Sequence, residues 1–256
     1  MTPLYVPRPA APAPHVLREY ALIADGERGA LVGPRGDIVW MCVPRWDSGA
    51  VFASLIGGPG HYTVTPRGRH VWGGSYEAGT LIWRSRWITG QGIVECREAL
   101  AFPGDPDHAV LLRRITAVKG PAHLRVELEP QADFGSGRHR RPHREDDGTW
   151  TGRDGPLRWR WSGADSAHPV RHALRATGLA MELRLEPGDT HDLVLELGER
   201  TPAGHTADRD ATRLWHATES AWLREVPTPA GTLAPEDARH ACAVLRGLTA
   251  RTGGMG

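Results

Sequence analysis

The chain has 256 residues, of which 40% are hydrophobic, and a formal net charge of +1. This length and apolar fraction suffice for a large buried core, and the near-neutral charge provides no long-range field that would attract nucleic acid or an anionic membrane. The three cysteines, Cys42, Cys96 and Cys242, are odd in number and have no CxxC spacing. They indicate neither a zinc site nor a disulfide framework, so we expect reduced thiols and no metal or other cofactor.

Residues 1–16, MTPLYVPRPAAPAPHV, are rich in proline and alanine. Repeated proline favours a semi-extended, polyproline-like backbone, so this segment predicts a flexible leader. It lacks the basic start and uninterrupted apolar run of a signal peptide, and no other segment approaches the roughly 20 apolar residues of a membrane-spanning helix. The sequence therefore predicts a cytoplasmic protein that does not enter a membrane.

The first folded element is predicted to be a tight β-hairpin. Residues 31–32 and 38–40 are β-favouring runs around Pro34, Arg35, Gly36 and Asp37. Proline fixes φ at one position of a turn, and glycine accepts the positive φ that many turns need. Trp40 lies in the middle of the second strand, where we expect a core residue.

The second strand of the hairpin runs into Pro44, which ends the ladder and is followed by Arg45, Trp46, Asp47 and Ser48. An aromatic face stacks on the apolar surface of a pyranose ring, while arginine donates to its hydroxyl groups and aspartate accepts from them. This chemistry makes Arg45, Trp46 and Asp47 the candidate substrate-binding residues. The alternative is structural: Arg45 and Asp47 form an ion pair within the turn, and Trp46 belongs to the core.

Between residues 52 and 199, short β-favouring runs alternate with glycine, proline and aspartate, which is typical of an all-β domain. Residues 157–161 and 181–185 place arginine or glutamate on one face and apolar side chains on the other. Many strands without intervening helices predict a mainly β fold built as a large antiparallel β-sandwich, with domain bounds of 17–203. The candidate strands are residues 61–65, 80–89, 93–102, 109–118, 123–130, 157–161, 173–176, 180–186 and 192–197.

The periodicity becomes helical after residue 206. Residues 207–225 carry Trp215 and Trp222 on one apolar stripe, and we assign 204–230 as a linker helix. A second helix is predicted over 235–250, with a proline in its first turn and acidic residues that complement the helix dipole. Its apolar stripe contains Ala238, Ala241, Cys242, Leu245 and Leu248, which we expect to be exposed.

Two further features have a possible binding role. The basic tract at residues 138–144 could bind phosphate, but glycines before it and acidic residues after it favour a solvated loop between strands. Trp83 and Trp87 share one face of a strand, as do Trp159 and Trp161. On an exposed face they would form a sugar-binding platform, whereas between two sheets they would form core, which is the arrangement we expect.

The pattern Y-A-L-I-x-D-G from Tyr20, followed by A-L-V-G-x-x-G-D-I-x-W-x-C-x-P-R-W-D-S-x-x-V-F, resembles the opening of glycoside hydrolase family 15 proteins, the bacterial glucoamylase and trehalase-like enzymes. The resemblance continues through residues 98–103 and 108–114 and resumes at 238–255. It implies an N-terminal supersandwich-like domain, a linker helix and an α/α barrel. It also implies hydrolysis of α-linked glucosides, such as malto-oligosaccharides or trehalose, with inversion.

The family places its two catalytic carboxylates in the barrel, and they have no counterpart in this sequence. We therefore assign no catalytic residue. By resemblance, residues 231–256 would be the start of a truncated barrel, and the chain would be the N-terminal, non-catalytic domain. It would support the barrel and place the Arg45–Asp47 turn near the sugar site, with an α-glucoside or oligosaccharide as partner.

Two alternatives remain open from the sequence. The sandwich could be a stand-alone carbohydrate-binding or scaffold protein. It could also be half of a split enzyme, in which a separately encoded catalytic barrel docks onto residues 207–250.

Overall fold

The structure is a computed structural model that describes residues 14–137, 140–172, 175–199 and 210–256. Four predicted segments lie partly outside the described residues: the leader, of which only residues 14–16 are described, the start of the basic tract, part of the strand 173–176 and the start of the linker helix. The strands are β1 (Ala21–Ala24), β2 (Gly29–Val32), β3 (Asp37–Cys42), β4 (Ala50–Phe52), β5 (His61–Pro66), β6 (His70–Tyr76), β7 (Trp83–Thr89), β8 (Ile93–Leu100), β9 (His108–Lys119), β10 (Ala122–Glu129), β11 (His143–Arg144), β12 (Trp150–Asp154), β13 (Leu157–Ser162), β14 (His168–His172), β15 (Arg175–Leu185) and β16 (Thr190–Gly198). The helices are α1 (Ala211–Glu225) and α2 (Pro235–Leu248).

Within the described residues the strands form two eight-stranded sheets. Sheet A has the order β1-β2-β3-β5-β10-β15-β14, with β4 paired to β3, and sheet B has the order β11-β12-β13-β16-β9-β8-β7-β6. Neighbouring strands in both sheets are antiparallel. The predicted antiparallel β-sandwich is therefore confirmed.

The predicted hairpin is formed by β2 and β3, with Leu31 opposite Trp40. The backbone N–H of Gly33 donates to the carbonyl of Asp37 over 2.8 Å and closes the turn. Gly36 has φ +69°, the conformation expected of glycine at this position, and a Cβ there would lie 2.1 Å from the carbonyl oxygen of Val64. The turn thus fits closely against strand β5.

Several strand predictions need correction. The predicted strand 80–89 begins only at Trp83, because the backbone N–H and hydroxyl of Thr80 both donate to the carbonyl of Glu77 and form a turn. The predicted strand 180–186 and the described part of 173–176 form one strand, β15, and the end of the basic tract that was predicted as a loop is β11. Strands β1, β4 and β14 were not predicted, and neither were β6 and β12. In β6 and β12 glycine interrupts the alternation of apolar and polar side chains by which a strand is recognised in a sequence. The glycines are Gly73 and Gly74 in β6 and Gly152 in β12.

The inter-sheet core contains Trp83, Trp87, Trp159 and Trp161, all of them buried. These four residues are therefore core and do not form an exposed platform, as expected from their alternation. Trp40 is only half-buried. It packs with Cys42, Ala50 and Ala53 rather than in the inter-sheet cluster, so the expectation that it is a core residue is met only in part.

A fully buried polar network joins the two sheets. In sheet B, Arg113 Nη2 donates to Glu98 Oε1 over 2.8 Å and to the carbonyl of Gly36 in the sheet A hairpin over 2.9 Å. The Arg113 guanidinium also lies 4.3 Å from the ring centroid of Tyr62 in β5. Ser85 donates to the second oxygen of Glu98 over 2.9 Å. Arg113 Nε is buried without a hydrogen-bond partner. The other bonds compensate much of the burial of the charge pair inside the sandwich.

Helix α1 packs on the face of sheet B that points away from sheet A. Asp210 caps its first turn, where the side chain accepts from the backbone N–H of Thr212 over 2.7 Å. Trp215 and Trp222 are buried, and Trp222 stacks on Phe102 with ring centroids 3.9 Å apart. The predicted apolar stripe of this helix is therefore its packing face.

Helix α2 packs against the hydrophobic cluster that contains Trp222 of α1. It does so through its small residues Ala243 and Gly247, which are buried. A Cβ at Gly247 would lie 2.4 Å from Leu81 Cδ1, so glycine permits the close approach. Ala241 and Leu245 of the predicted stripe are exposed, as expected, whereas Ala238, Cys242 and Leu248 are half-buried. Neither described helix is long and apolar enough to cross a membrane.

Strand β9 is long and extends from His108 to Lys119, where its last residues are exposed. Lys119 is the only lysine of the sequence.

Candidate functional site

The turn between β3 and β4, residues 44–48, carries the three candidate substrate-binding residues. It is closed by the backbone N–H of Ser48, which donates to the carbonyl of Arg45 over 3.1 Å, and by the hydroxyl of Ser48, which accepts from the backbone N–H of Arg45 over 3.1 Å. The side chains of Arg45 and Asp47 are 60% and 77% exposed, and Arg45 Nε donates to Asp47 Oδ1 over 3.3 Å. The structural alternative of an ion pair within the turn is thus present.

An exposed ion pair of this kind adds little stability, typically under about 1 kcal/mol. It does not occupy every donor of the guanidinium or every lone pair of the carboxylate. Arg45 and Asp47 therefore remain accessible to hydroxyl groups of a ligand.

Trp46 is half-buried. It packs against the hydrophobic cluster that contains Trp222 of α1 and Ala243 of α2. Its ring lies so close to β2 that a Cβ at Gly29 would be 2.3 Å from Cη2, and it also contacts Gly256, where a Cβ would be 2.3 Å from Cδ2. The Trp46 Nε1 atom is buried without a hydrogen-bond partner. Trp46 therefore fixes the turn against the β-sheet, and its contact with Gly256 limits the ring surface open to a ligand.

The turn between β1 and β2 lies beside this site. Asp25 is 2% exposed, and its Oδ1 atom accepts from the backbone N–H groups of Glu27 and Arg28, each over 2.9 Å. Arg28 is fully buried; its Nε lies 3.5 Å from Asp25 Oδ2, and its Nη2 donates to the carbonyl of Asp105. Burial raises the pKa of Asp25 to about 6, and the charge of Arg28 offsets this only in part.

The last turn of α2 and the residues after it connect the two turns. The backbone N–H of Gly26 donates to the carbonyl of Gly247 over 2.8 Å, and the backbone N–H of Arg251 donates to Glu27 Oε1 over 3.1 Å. Together with the contact between Trp46 and Gly256, these bonds bring residues 25–28, 44–48 and 247–256 to one surface, which we call the turn surface.

Sequence reasoning identified the exposed side chains of the turn surface and missed its buried ones. Asp25 and Gly26 form a recognisable turn dipeptide, but no local signal indicates that Arg28 is buried, because its surroundings come from residues near 105. In the described part of the chain, no group of three or more His, Cys, Asp or Glu side chains is arranged to hold a metal ion.

The fold and the turn surface define a class of protein: an antiparallel two-sheet β domain with packed C-terminal helices and an exposed Arg–Asp turn. Residues 10–222 match the family described as trehalase-like, N-terminal. The match covers most of the chain, and the chain belongs to this family.

Two curated relatives are trehalases. The trehalase of Mycobacterium tuberculosis is 28% identical over 233 residues, which cover 79% of this chain and 33% of the relative. The trehalase of Mycolicibacterium smegmatis is 27% identical over 237 residues, covering 80% of this chain and 34% of the relative. This chain therefore spans about a third of the length of these relatives.

Similar solved structures include a protein described as a kojibiose phosphorylase from the human microbiome. Its TM-score is 0.39 at 10% identity, over 87% of this chain and 34% of that chain. A heparinase III has a TM-score of 0.36 at 12% identity, over 74% of this chain and 37% of that chain.

Proposed function

We propose that this chain is the N-terminal, non-catalytic domain of a cytoplasmic glycoside hydrolase family 15-like protein of the trehalase or glucoamylase type, which cleaves α-glucosides. The observation that carries the proposal is the family match over residues 10–222, together with trehalase relatives about three times as long. In this proposal α2 is the first helix of an α/α barrel, and the catalytic carboxylates belong to that barrel.

The surroundings of Asp25 and Glu98, two carboxyl groups with raised pKa values, support a non-catalytic role for this domain. Hydrolysis of a glycosidic bond needs one carboxylic acid to protonate the leaving oxygen and a second carboxylate to activate water or attack carbon. Burial raises the pKa of both Asp25 and Glu98. Each of them is buried against an arginine, Arg28 and Arg113 respectively, so neither is placed to reach a sugar.

The turn surface is the part of the domain that we assign to the barrel and its substrate. Arg45 and Asp47 would bind hydroxyl groups of the α-glucoside or support the barrel loops around it, and Trp46 would hold the turn in position. This assignment is supported by the exposure of the two charged side chains and by the packing of Trp46 on the segment that follows α2.

The proposal is tested in a full-length trehalase relative by replacing the arginine that corresponds to Arg45 with alanine. We expect kcat/KM for trehalose to fall at least about tenfold, or about 1.4 kcal/mol in transition-state stabilisation. The matched control replaces the equivalent of Arg86, which is 48% exposed and lies 3.3 Å from Glu95, and it should leave kcat/KM unchanged. Equal activity of both variants would refute a role for the turn near the sugar.

A separately encoded barrel is a second arrangement, which the surface of α2 suits as well as it suits one continuous enzyme. Ala241 and Leu245 of α2 are exposed, so this helix has an apolar surface that a further domain could cover. The intact mass of the native protein distinguishes the two arrangements. A mass well above 27.9 kDa supports one continuous enzyme, whereas a mass near that value, with a barrel protein that co-purifies, supports a split enzyme.

A further inference from the structure

An aromatic pair lies on the face of sheet A that points away from the inter-sheet core. Trp40 is half-buried there, because the neighbouring Met41 takes the core side of β3. Phe134, in the loop after β10, is 47% exposed. The two ring centroids are 6.1 Å apart and the ring planes are tilted by 53°. Two aromatic rings are thus held side by side at the surface.

The backbone of the loop is strained where it presents Phe134. Asp133 and Phe134 have φ values of +47° and +55°, which side chains other than glycine rarely adopt. Contacts of the residues immediately before and after this pair hold the conformation in place. The backbone N–H of Ala132 donates to Asp154 Oδ2 over 2.7 Å, and Gly135 packs on Pro59.

This combination brings no evident benefit to folding. The strain is not offset by burial of the side chain, since about half of Phe134 faces solvent. Glycine would adopt the same φ without the steric penalty. The loop therefore presents an aromatic ring at the surface at a cost in stability, which is the pattern found at binding sites.

Polar groups flank the ring. The hydroxyl of Ser136 donates to Asp133 Oδ2 over 2.8 Å, and both residues are exposed. Asp133 also packs on Gly49, directly after the 44–48 turn, where a Cβ would lie 2.7 Å from Asp133 Oδ1. A carboxylate with unused lone pairs and a hydroxyl group thus stand next to an aromatic face.

We propose that Trp40, Phe134, Asp133 and Ser136 form a sugar-binding surface for α-linked glucose oligomers, a ligand class that rests on the proposed function. The aromatic rings pack on the apolar CH faces of the sugars, and Asp133 and Ser136 bind their hydroxyl groups. Because the two rings are tilted, they fit a curved α-linked chain better than a flat β-linked ribbon.

The test is calorimetric titration of the present chain with maltoheptaose, with cellohexaose as the flat comparison. The wild type should bind maltoheptaose saturably and more tightly than cellohexaose. Phe134→Gly should weaken maltoheptaose binding at least tenfold without lowering the melting temperature, because glycine relieves the strain. Phe134→Tyr keeps the ring and should retain binding. Ile88→Ala, which changes an exposed apolar residue on sheet B, should bind as the wild type does.

Three results would overturn the proposal. The first is no saturable binding of maltoheptaose by the wild type, and the second is tighter binding of cellohexaose. The third is a Phe134→Gly variant that binds maltoheptaose as tightly as the wild type does, which would show that the exposed ring is not part of a sugar site. None of these results depends on the activity assay of Arg45.

Discussion

At the scale of single residues, the pair of Asp25 and Arg28 shows burial acting against charge. Burial raises the pKa of Asp25 and lowers the pKa of Arg28, although the two groups attract each other. Both shifts have the sign expected when desolvation outweighs the attraction. The turn is retained because Asp25 also accepts two backbone N–H groups, which would otherwise be buried without a partner.

The raised pKa of Asp25 predicts how stability depends on pH. Between its ordinary value of 3.8 and about 6, the folded state binds more protons at Asp25 than the unfolded state does, so stability falls as pH rises through this range. A shift of about two pH units corresponds to about 3 kcal/mol. Urea denaturation between pH 4 and pH 7 measures the change.

The control is Asp25→Asn, which keeps the oxygen that accepts from Glu27 and Arg28 and removes the titration. The free energy of unfolding of the wild type, minus that of the variant, should fall across the same pH range. A difference that is constant with pH would show that Asp25 does not carry the effect.

At the scale of elements, the β2–β3 hairpin could be predicted from the sequence because its signals are local. Proline and glycine define its turn, and β-favouring residues flank it. Strand β6 could not be predicted, since Gly73 and Gly74 leave it without an alternating pattern, and its place is set by pairing with β7. The left-handed loop at Asp133 and Phe134 was missed for a similar reason, as contacts with Pro59 and Asp154 impose it.

The hairpin turn gives a prediction about glycine. Gly36→Ala should destabilise the protein by about 3 kcal/mol, because a side chain at positive φ costs 1–3 kcal/mol and its Cβ would also overlap a backbone oxygen of β5. Gly57→Ala is the matched control: Gly57 has φ +76° with nothing within 4 Å of its Cβ position, so only the backbone cost of about 1–2 kcal/mol applies. Chemical denaturation compares the two, and equal losses would contradict a steric role for the Gly36 contact.

At the scale of the whole molecule, the Glu98–Arg113 network connects the sheets. Arg113 reaches from β9 to the hairpin turn and to Tyr62, so one buried side chain contacts both layers. The sequence predicted both strands that carry the pair, but it could not predict that Arg113 points inward, because arginine on a strand is usually solvated. The candidate site shows the same limit: the ion pair of Arg45 and Asp47 is local, whereas the contact between Trp46 and Gly256 depends on the complete fold.

Removal of one partner of this network should be costly. Arg113→Met leaves the buried Glu98 without its cation, and we expect a loss of about 3–5 kcal/mol in the free energy of unfolding. The double variant Glu98→Leu with Arg113→Met should recover at least half of that loss, since neither charge then remains.

The surface pair of Arg67 and Glu182 is the control for this experiment, and Arg67→Ala should cost under about 1 kcal/mol. A loss for Arg113→Met as small as that for Arg67→Ala would mean that the buried network does not hold the sheets together.

The position of Lys119 has a practical consequence for studying the domain. Asp105, which binds Arg28 of the turn surface, lies just before β9, and Lys119 lies at the other end of this twelve-residue strand. At about 3.4 Å per residue, the strand separates them by roughly 35–40 Å. Coupling through this side-chain amine, with the N-terminal amine blocked, would therefore immobilise the protein on a sensor chip with the turn surface pointing away from the support.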